Sequence, residues 1–424
     1  MRCWTVYDNI STVMETANSN IFVARQPVFN RKMGVFAYEL LFRSGLTNYF
    51  DPSQNGEEAT SKVITNSFLL IGIATITEGK KALINFSEEM LLRGYPALFP
   101  KDITVVEVLE TVAATPEIVR ACEKLVEAGY VLALDDFLYE DRFLPLVKLA
   151  RIIKFDIRQM SLAELERQAK LVSRYNVKLL AEKIETIEEF EATKKLGFDF
   201  FQGYFFSRPH IMEGRDIPGS KFHYLQVLKV IQDEDYDFAE LARFVSRDVS
   251  LAYKLLKYVN SAYFARRQKL DSIEMAVATL GQITLRKWLS LMMLSYLAED
   301  KSSELLNLSA FRGSFCELIA YQLLDRRKES GRFHTVGMFS LLPAMLDKAM
   351  SDILPELALP EKIQEALLFK TATALSCTLA LVMAYERGEW DKVSRLAGKL
   401  NFKHDSLPLL YEQAIEIASA QLTA

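Results

Sequence analysis

Two adjacent aspartates follow an apolar run in the stretch YVLALDDFLYEDRF, residues 130–143. The run VLAL has the length and composition of a buried strand, and Asp135 and Asp136 come where that strand ends. Carboxylates in this position either bind a metal ion or only turn the chain into solvent. The types of the polar residues at the ends of the neighbouring strands decide between these two interpretations.

Six apolar runs of this type lie between residues 80 and 206, and each is followed by a segment with a helical pattern. Their polar end residues, which are 19 to 28 residues apart, are Asn85, Glu107, Asp135, Lys154, Glu182 and Gln202. This is the spacing of βα units. Apolar strands that alternate with helices predict a parallel sheet, and this number of units predicts a closed barrel.

A further run, VFAYELLFR, precedes the series and contains Glu39, so we expect the barrel to begin near residue 20 and to close near residue 208. The carboxyl ends of barrel strands meet at one mouth. The predicted metal ligands at that mouth are Glu39, Asn85, Glu107, Asp135 and Asp136. Their oxygen atoms are the donors that hard divalent cations such as Mg²⁺, Mn²⁺ or Ca²⁺ select.

Lys154 could neutralise part of this charge and hold a water or a phosphate oxygen. Glu182 could take a proton from a water that the cation has made more acidic. The pattern therefore predicts metal-assisted hydrolysis of a phosphodiester.

Each of these residues taken singly also has a structural interpretation. A carboxylate at a strand end is commonly a helix N-cap or a solvated loop residue. Lys154 could form only an ion pair, and Gln202 is expected to form a hydrogen bond at the barrel rim. The prediction of a site therefore depends on the whole set of residues.

The size and composition of the chain limit the other possibilities. A chain of 424 residues exceeds the size at which a single core stops growing, which predicts two domains. Four scattered cysteines and four histidines argue against a zinc site or a disulfide framework. The net charge of −4 makes nucleic acid an unlikely partner. The absence of a signal-peptide pattern and of a long apolar stretch predicts a cytoplasmic protein with no membrane partner.

The pattern becomes helical after residue 210. The stretch SIEMAVATLG, for example, predicts a helix that ends at Gly281. We therefore expect an N-terminal segment over residues 1–20, a barrel over 21–210 and a helical domain over 211–424. The expected fold class is α/β plus all-α.

Seven motifs of the first domain occur in the order and spacing of a known family. They are YELLFR, INFS, EVLE, DDF, KFD, AEKIE and QGYFFSRP. Over roughly residues 20–210 the chain resembles the EAL-type cyclic di-GMP phosphodiesterases. The resemblance implies a modified (β/α)₈, TIM-like barrel that binds cyclic di-GMP at the strand ends. In active members such a barrel opens cyclic di-GMP to linear pGpG with Mg²⁺ or Mn²⁺.

The resemblance also implies a role for each matching position. The implied metal ligands are Glu39, Asn85, Glu107, Asp135 and Asp136. Lys154 matches a lysine near the nucleophilic water, and Glu182 matches the general base. Arg43 matches an arginine that contacts a ligand phosphate, while Glu185 and Gln202 match further residues of the substrate site. Glu110 matches a glutamate that braces the loop following the aspartate pair.

Three departures from the family pattern affect the expected activity. The glycine- and serine-rich loop of active members is replaced by DDFLYEDRFLPL, so Leu138 and Tyr139 should change the path of the loop. Lys183 stands where the family has glycine, and Leu40 stands where it has alanine. Either hydrolysis survives, or the barrel is an inactive sensor of cyclic di-GMP or a protein-interaction scaffold. A third alternative is that neither cation nor nucleotide binds. A homodimer is left open.

The second domain resembles the HDOD family through DVSLAYKLLKYVNSAYF and SIEMAVATLGQITLRKWLSLM. HDOD domains are related to metal-dependent HD phosphohydrolases but lack much of their metal-binding set. Ser340 and Leu341 stand where a His-Asp pair would be, and His334 is expected to be a core or surface histidine. The resemblance implies a domain that contacts protein partners and is not itself an enzyme.

Overall fold

The computed structural model describes residues 21–44, 73–208, 219–232, 238–261, 264, 270, 272–323, 329–357 and 359–423. The expected N-terminal segment, residues 1–20, lies outside the described residues. One compact unit lies within residues 21–210 and includes 384–391, while the other lies within 211–383 and 392–424. The sequence analysis had placed the short segment 384–391 in the helical domain.

The first unit is a closed barrel of eight strands that follow one another around the barrel in sequence order. The strands are β1 (Ile21–Asn30), β2 (Val35–Ser44), β3 (Lys81–Phe86), β4 (Thr104–Val108), β5 (Val131–Leu134), β6 (Ile152–Asp156), β7 (Lys178–Ile184) and β8 (Phe200–Gly203). The predicted barrel is therefore confirmed, and each of the seven apolar runs identified in the sequence forms a strand.

The strands identified in the sequence, β2 to β8, pair in parallel as predicted, whereas β1 pairs antiparallel with both β2 and β8. No strand was predicted here, because Arg25, Gln26 and Pro27 interrupt the apolar pattern of β1. A tight turn makes the antiparallel pairing possible. The Asn30 side chain accepts hydrogen bonds from the backbone N–H groups of Lys32 and Gly34 at 2.8 and 3.1 Å.

Short helices connect the parallel strands. They are α1 (Ile73–Ile76), α2 (Glu88–Leu92), α3 (Pro116–Glu127), α4 (Leu144–Leu149), α5 (Leu162–Val172) and α6 (Ile187–Lys195). Four of them begin at a Ser or Thr whose side chain accepts a backbone N–H of the first turn, namely Ser87, Thr115, Ser161 and Thr186. These caps set where each helix starts after its strand, and they keep the loops at the mouth short.

A layer of small and branched side chains fills the barrel interior. It consists of Val28, Ala37, Leu83, Val105, Ala133, Ile152 and Leu180. Because side chains alternate along a strand, a residue two positions further on faces the same interior. From β2 to β7 these next inward positions are occupied by Glu39, Asn85, Glu107, Asp135, Lys154 and Glu182. The polar site is thus the layer directly above the apolar one.

The second unit is helical throughout its described residues. Its helices are α7 (Gly219–Gln232), α8 (Phe238–Arg247), α9 (Val249–Val259), α10 (Ile273–Leu297), α11 (Ser303–Gln322), α12 (Ser330–Phe339), α13 (Leu342–Leu346), α14 (Met350–Leu357), α15 (Glu361–Leu367), α16 (Ala374–Glu386), α17 (Trp390–Lys399) and α18 (Leu407–Thr423). The last residues of α16, from 384 onward, and the first two of α17 belong to the barrel unit.

Two glycines shape the helical unit. Gly281 has a φ of 69° and interrupts α10, at the residue where the sequence predicted a helix end. A side chain at Gly337 on α12 would lie 2.3 Å from the carbonyl oxygen of Arg312 on α11, so only glycine permits the close crossing of these helices. Within the described ranges, no helix has both the length and the hydropathy needed to cross a membrane.

Candidate active site at the barrel mouth

The ammonium group of Lys154 lies at the centre of the barrel mouth and is about 1% exposed. Its Nζ is 2.5 Å from Glu182 Oε1, 2.6 Å from Glu107 Oε1 and 2.7 Å from Asp135 Oδ1. Glu39 Oε2 lies at 3.5 Å. The structure therefore brings together carboxylates from four strands or strand ends around one cation.

Amide side chains position Glu39 from both sides. Asn85 donates from Nδ2 to Glu39 Oε1 at 3.0 Å, and Gln202 donates from Nε2 to Glu39 Oε2 at 2.7 Å. Gln202 also donates to Gln26 Oε1 at 3.2 Å. Gln202 thus forms hydrogen bonds at the rim, as the sequence analysis expected, and one of them holds a predicted metal ligand.

A second group of charges surrounds Lys183. Its Nζ is 2.5 Å from Asp156 Oδ2 and 3.7 Å from Asp136 Oδ2. Gln159 donates from Nε2 to the same two oxygens at 3.1 and 3.4 Å. Asp156, which is 4% exposed, is absent from the residues selected in the sequence. Its signal was its position in KFD, two residues after Lys154 and therefore on the same face of β6.

Burial and crowding change the pKa values at the mouth. Burial raises the pKa of Glu107 and Asp135, and it raises the pKa of Glu182 to about 8, although Lys154 opposes each shift. Burial also acts on Glu39, but Lys154 and the two amide hydrogen bonds outweigh it and lower the pKa of Glu39. Burial disfavours the charged form of Lys154, yet the surrounding carboxylates raise its pKa well above the ordinary value.

The mouth holds more acidic than basic groups. Two ammonium groups are shared by six acidic side chains, those of Glu39, Glu107, Asp135, Asp136, Asp156 and Glu182. Four buried oxygens at the mouth accept no hydrogen bond from any described residue, namely Asn85 Oδ1, Glu107 Oε2, Asp136 Oδ1 and Gln202 Oε1.

Ligand oxygens of Asp135, Asp136 and Glu182 lie within 4.8 Å of one another. Excess carboxylates and orphaned acceptors are the environment that a hard divalent cation requires. The residues present therefore fit such a cation.

Two further predicted site residues, Glu185 and Glu110, have other surroundings. Glu185 pairs with Arg208 at 2.9 Å and with Arg158 at 3.6 Å. Glu110 is exposed and lines a cavity next to the aspartate pair. Among the residues that the structure describes, Glu110 forms no hydrogen bond to the loop that it was expected to brace. The side chain of Arg43, on β2, lies outside the described residues.

The loop after Asp136 follows a defined path. The Tyr139 backbone N–H donates to Gln168 Oε1 on α5 at 2.9 Å, and Arg174 donates to the Tyr139 hydroxyl at 3.0 Å. Leu138 is 46% exposed and lines, together with Asp135 and other residues, a cavity of about 420 Å³ beside the aspartates. Leu40, the other bulky replacement, is buried in the barrel wall.

The helical unit contains a different group of buried polar residues. His334 on α12 is 3% exposed, which confirms a core histidine. Burial and the nearby Lys287 lower the pKa of His334 to about 4, so the imidazole is neutral at pH 7. Lys287 forms an ion pair with Glu317. Ser340, at the position of the missing His-Asp pair, accepts from Arg312 Nη1 at 3.1 Å.

Comparison with known proteins agrees with this architecture. The model of the EAL domain matches residues 97–209, and the model of the HDOD domain matches residues 217–377. The protein YuxH of Bacillus subtilis strain 168, described as uncharacterized, is 34% identical over 389 residues, which are 90% of this chain and 94% of YuxH. The cyclic di-GMP phosphodiesterase CdgJ of Vibrio cholerae serotype O1 is 35% identical over 387 residues, 90% of this chain and 88% of CdgJ.

A solved structure of a standalone EAL protein from Vibrio cholerae O395 in its c-di-GMP bound form is also similar. It is 23% identical, with a TM-score of 0.35, and the match covers 45% of this chain and 92% of that one. The two full-length relatives cover both units of the chain, and both domain models match in the order that the sequence suggested. The chain therefore belongs to the family of proteins in which an EAL domain is followed by an HDOD domain.

Proposed function

We propose that the barrel binds cyclic di-GMP through a divalent cation and hydrolyses it to pGpG. The observation that carries the proposal is the buried excess of carboxylates at the mouth, with orphaned acceptor oxygens beside the aspartate pair. The activity in the name of the relative CdgJ supports the same substrate. The proposed cation ligands are Glu39, Asn85, Glu107, Asp135 and Asp136.

In this proposal Glu182 is the general base. When bound, the cation would neutralise phosphate charge and make a bound water more acidic. Lys154 holds the Glu182 carboxylate through the 2.5 Å contact and so orients it toward the mouth. Burial raises the pKa of Glu182 to about 8, so the group is mostly protonated at pH 7 in the absence of a cation. The positive charge of a bound cation would lower this pKa and leave the carboxylate able to accept a proton. Arg43, Glu185 and Gln202 complete the proposed substrate-binding set.

Several finer assignments belong to the same proposal. An all-oxygen donor set favours Mg²⁺ or Mn²⁺ over zinc or copper. We assign residues 21–210 to the barrel and residues 211–424, apart from the segment 384–391, to the helical domain, and we propose that the helical domain binds protein partners. The relevant compartment would be the cytoplasm, and the chain could form a homodimer.

A second candidate function is a cyclic di-GMP sensor without turnover. It is favoured by the loop after Asp136, which Gln168 and Arg174 hold through Tyr139 and which contains no glycine between Phe137 and Leu144. A loop held in this way resists the rearrangement that closing over a substrate would require. The ligand set of a sensor and that of an enzyme are the same, so only turnover separates them.

The test is incubation of the purified chain with cyclic di-GMP and either Mg²⁺ or Mn²⁺, with chromatography of pGpG. The proposal predicts metal-dependent turnover that Glu182→Gln reduces by about 10²- to 10⁴-fold while nucleotide binding is kept. Binding without turnover in the wild type would support the sensor. If the wild type neither binds nor hydrolyses cyclic di-GMP, the proposal of a nucleotide site at the barrel mouth is wrong.

A further inference from the structure

Lys183 occupies an unusual backbone conformation at the barrel mouth. Its φ is 57°, in the left-handed region that glycine adopts readily and a long side chain adopts at a cost. Asp136, which faces Lys183, has a φ of 40°. Strain of this kind persists only where surrounding contacts maintain it, and it is concentrated at functional sites. The contacts of the Lys183 side chain therefore indicate what maintains it.

The Lys183 ammonium lies between two carboxylates. It is 2.5 Å from Asp156 Oδ2 and 3.7 Å from Asp136 Oδ2. Asp156 is buried, and its other oxygen accepts the backbone N–H of Arg158 at 2.8 Å. Without the Lys183 ammonium, the Gln159 amide would be the one described donor that the two facing oxygens, Asp136 Oδ2 and Asp156 Oδ2, have in common. Two close carboxylates with so little compensation need a positive charge.

The two carboxylate oxygens of Asp136 have different surroundings. Asp136 Oδ1 is buried without a hydrogen bond from any residue in the described ranges, whereas Asp136 Oδ2 faces Lys183. An Asp136 ligand oxygen also belongs to the group with Asp135 and Glu182 that could hold a metal ion. Asp136 thus belongs to the candidate metal-binding group and also pairs with the Lys183 ammonium.

We infer that Lys183 is a built-in cation that occupies a second metal position, formed by Asp136 and Asp156. The barrel mouth then binds a single divalent ion, on the side of Asp135 and Glu182. This inference rests on the proposed function for the identity of that first cation. It predicts that removing the Lys183 amine creates a new divalent-cation site, because Asp136 and Asp156 remain while their positive partner is lost.

The test is the stoichiometry of Mn²⁺ binding to the full chain, measured by calorimetry and by electron paramagnetic resonance of free Mn²⁺. The main variant is Lys183→Gly, because glycine accepts the positive φ and removes the strain. We expect it to bind about one more equivalent of Mn²⁺ than the wild type. The matched control Lys183→Arg keeps the charge and should keep the wild-type stoichiometry. Adding Asp156→Asn to Lys183→Gly should remove the extra equivalent.

The outcomes separate this inference from the proposed function. An unchanged stoichiometry in Lys183→Gly overturns the inference, whatever the wild type binds. An extra equivalent that survives Asp156→Asn overturns it as well, because the new ion would then lie elsewhere. If the wild type binds no Mn²⁺ while Lys183→Gly binds one equivalent, Lys183 is a built-in cation but the proposed first cation site is wrong.

Discussion

The barrel mouth and the interior of the helical unit both bury charged groups, but they balance charge differently. At the mouth, Lys154 contacts four carboxylates, so acidic groups outnumber the ammonium group that they share. In the helical unit, Lys287 pairs with Glu317 and His334 stays neutral. Burying an ion costs several kcal/mol unless it is compensated. Buried charge that the chain balances itself indicates structure, whereas an unbalanced excess indicates a ligand.

Removing the central lysine of the mouth should have the largest effect on stability. Lys154→Met leaves several buried carboxylates without their cation, so we expect the free energy of unfolding of the metal-free chain to fall by about 3 to 5 kcal/mol. The measurement is urea denaturation. The matched control is Lys178→Met, which removes an exposed ion pair with Asp199 and should cost less than about 1 kcal/mol. An equal loss of unfolding free energy in both variants would show that the buried carboxylates do not depend on Lys154.

The pH dependence of stability tests the neutral histidine of the helical unit. The pKa of His334 is about 4 in the folded chain, below its ordinary value of 6.5. Between these values the unfolded chain binds a proton that the folded chain does not. Stability should therefore fall with decreasing pH by about 1.4 kcal/mol per unit over this window.

His334→Gln should remove this contribution, as measured by urea denaturation between pH 4.5 and 7. The control His404→Gln leaves His334 in place and should keep the wild-type slope. An unchanged slope in His334→Gln would show that the imidazole does not carry the effect.

The ion pair of the helical unit should behave as a self-contained unit. Lys287→Met leaves Glu317 buried without its partner, and Glu317→Gln leaves Lys287 in the same situation. Because the pair balances itself, the double variant should be less destabilised than the sum of the singles, with a coupling energy of about 1 to 3 kcal/mol. The measurement is a double-mutant cycle by urea denaturation. A coupling energy near zero would show that Lys287 and Glu317 do not stabilise each other, and it would contradict the contrast drawn between the helical unit and the barrel mouth.

The sequence predicted the fold well wherever one pattern was dominant. The apolar runs of β2 to β8 are continuous, and their regular spacing implied a barrel without any long-range information. β1 was missed because its interior carries Arg25, Gln26 and Pro27, and because its pairing depends on a turn at Asn30 rather than on a periodic pattern. The helical unit was predicted as a class, whereas the close crossing at Gly337 required the structure.

Most residues of the candidate site were predictable from the sequence, but the ion pairs and hydrogen bonds among them were not. Alternation along each strand placed Glu107, Lys154 and Glu182 in one layer. Asp156 was not predicted, because only Lys154 marked the polar end of the apolar run of β6, although Lys154 and Asp156 share a face of that strand. The contact between Lys183 and Asp156 joins two strands, β7 and β6, so no local pattern could reveal it.

The most direct test of the account compares one variant from each region in the same reaction. Hydrolysis of cyclic di-GMP with Mn²⁺ is measured for the wild type, Glu182→Gln and His334→Gln, each checked for folding at pH 7.5 by circular dichroism. We predict that Glu182→Gln loses about 10²- to 10⁴-fold in turnover, while His334→Gln stays within about twofold of the wild type. Turnover that survives Glu182→Gln, or that disappears in folded His334→Gln, would contradict the assignment of the chemistry to the barrel mouth.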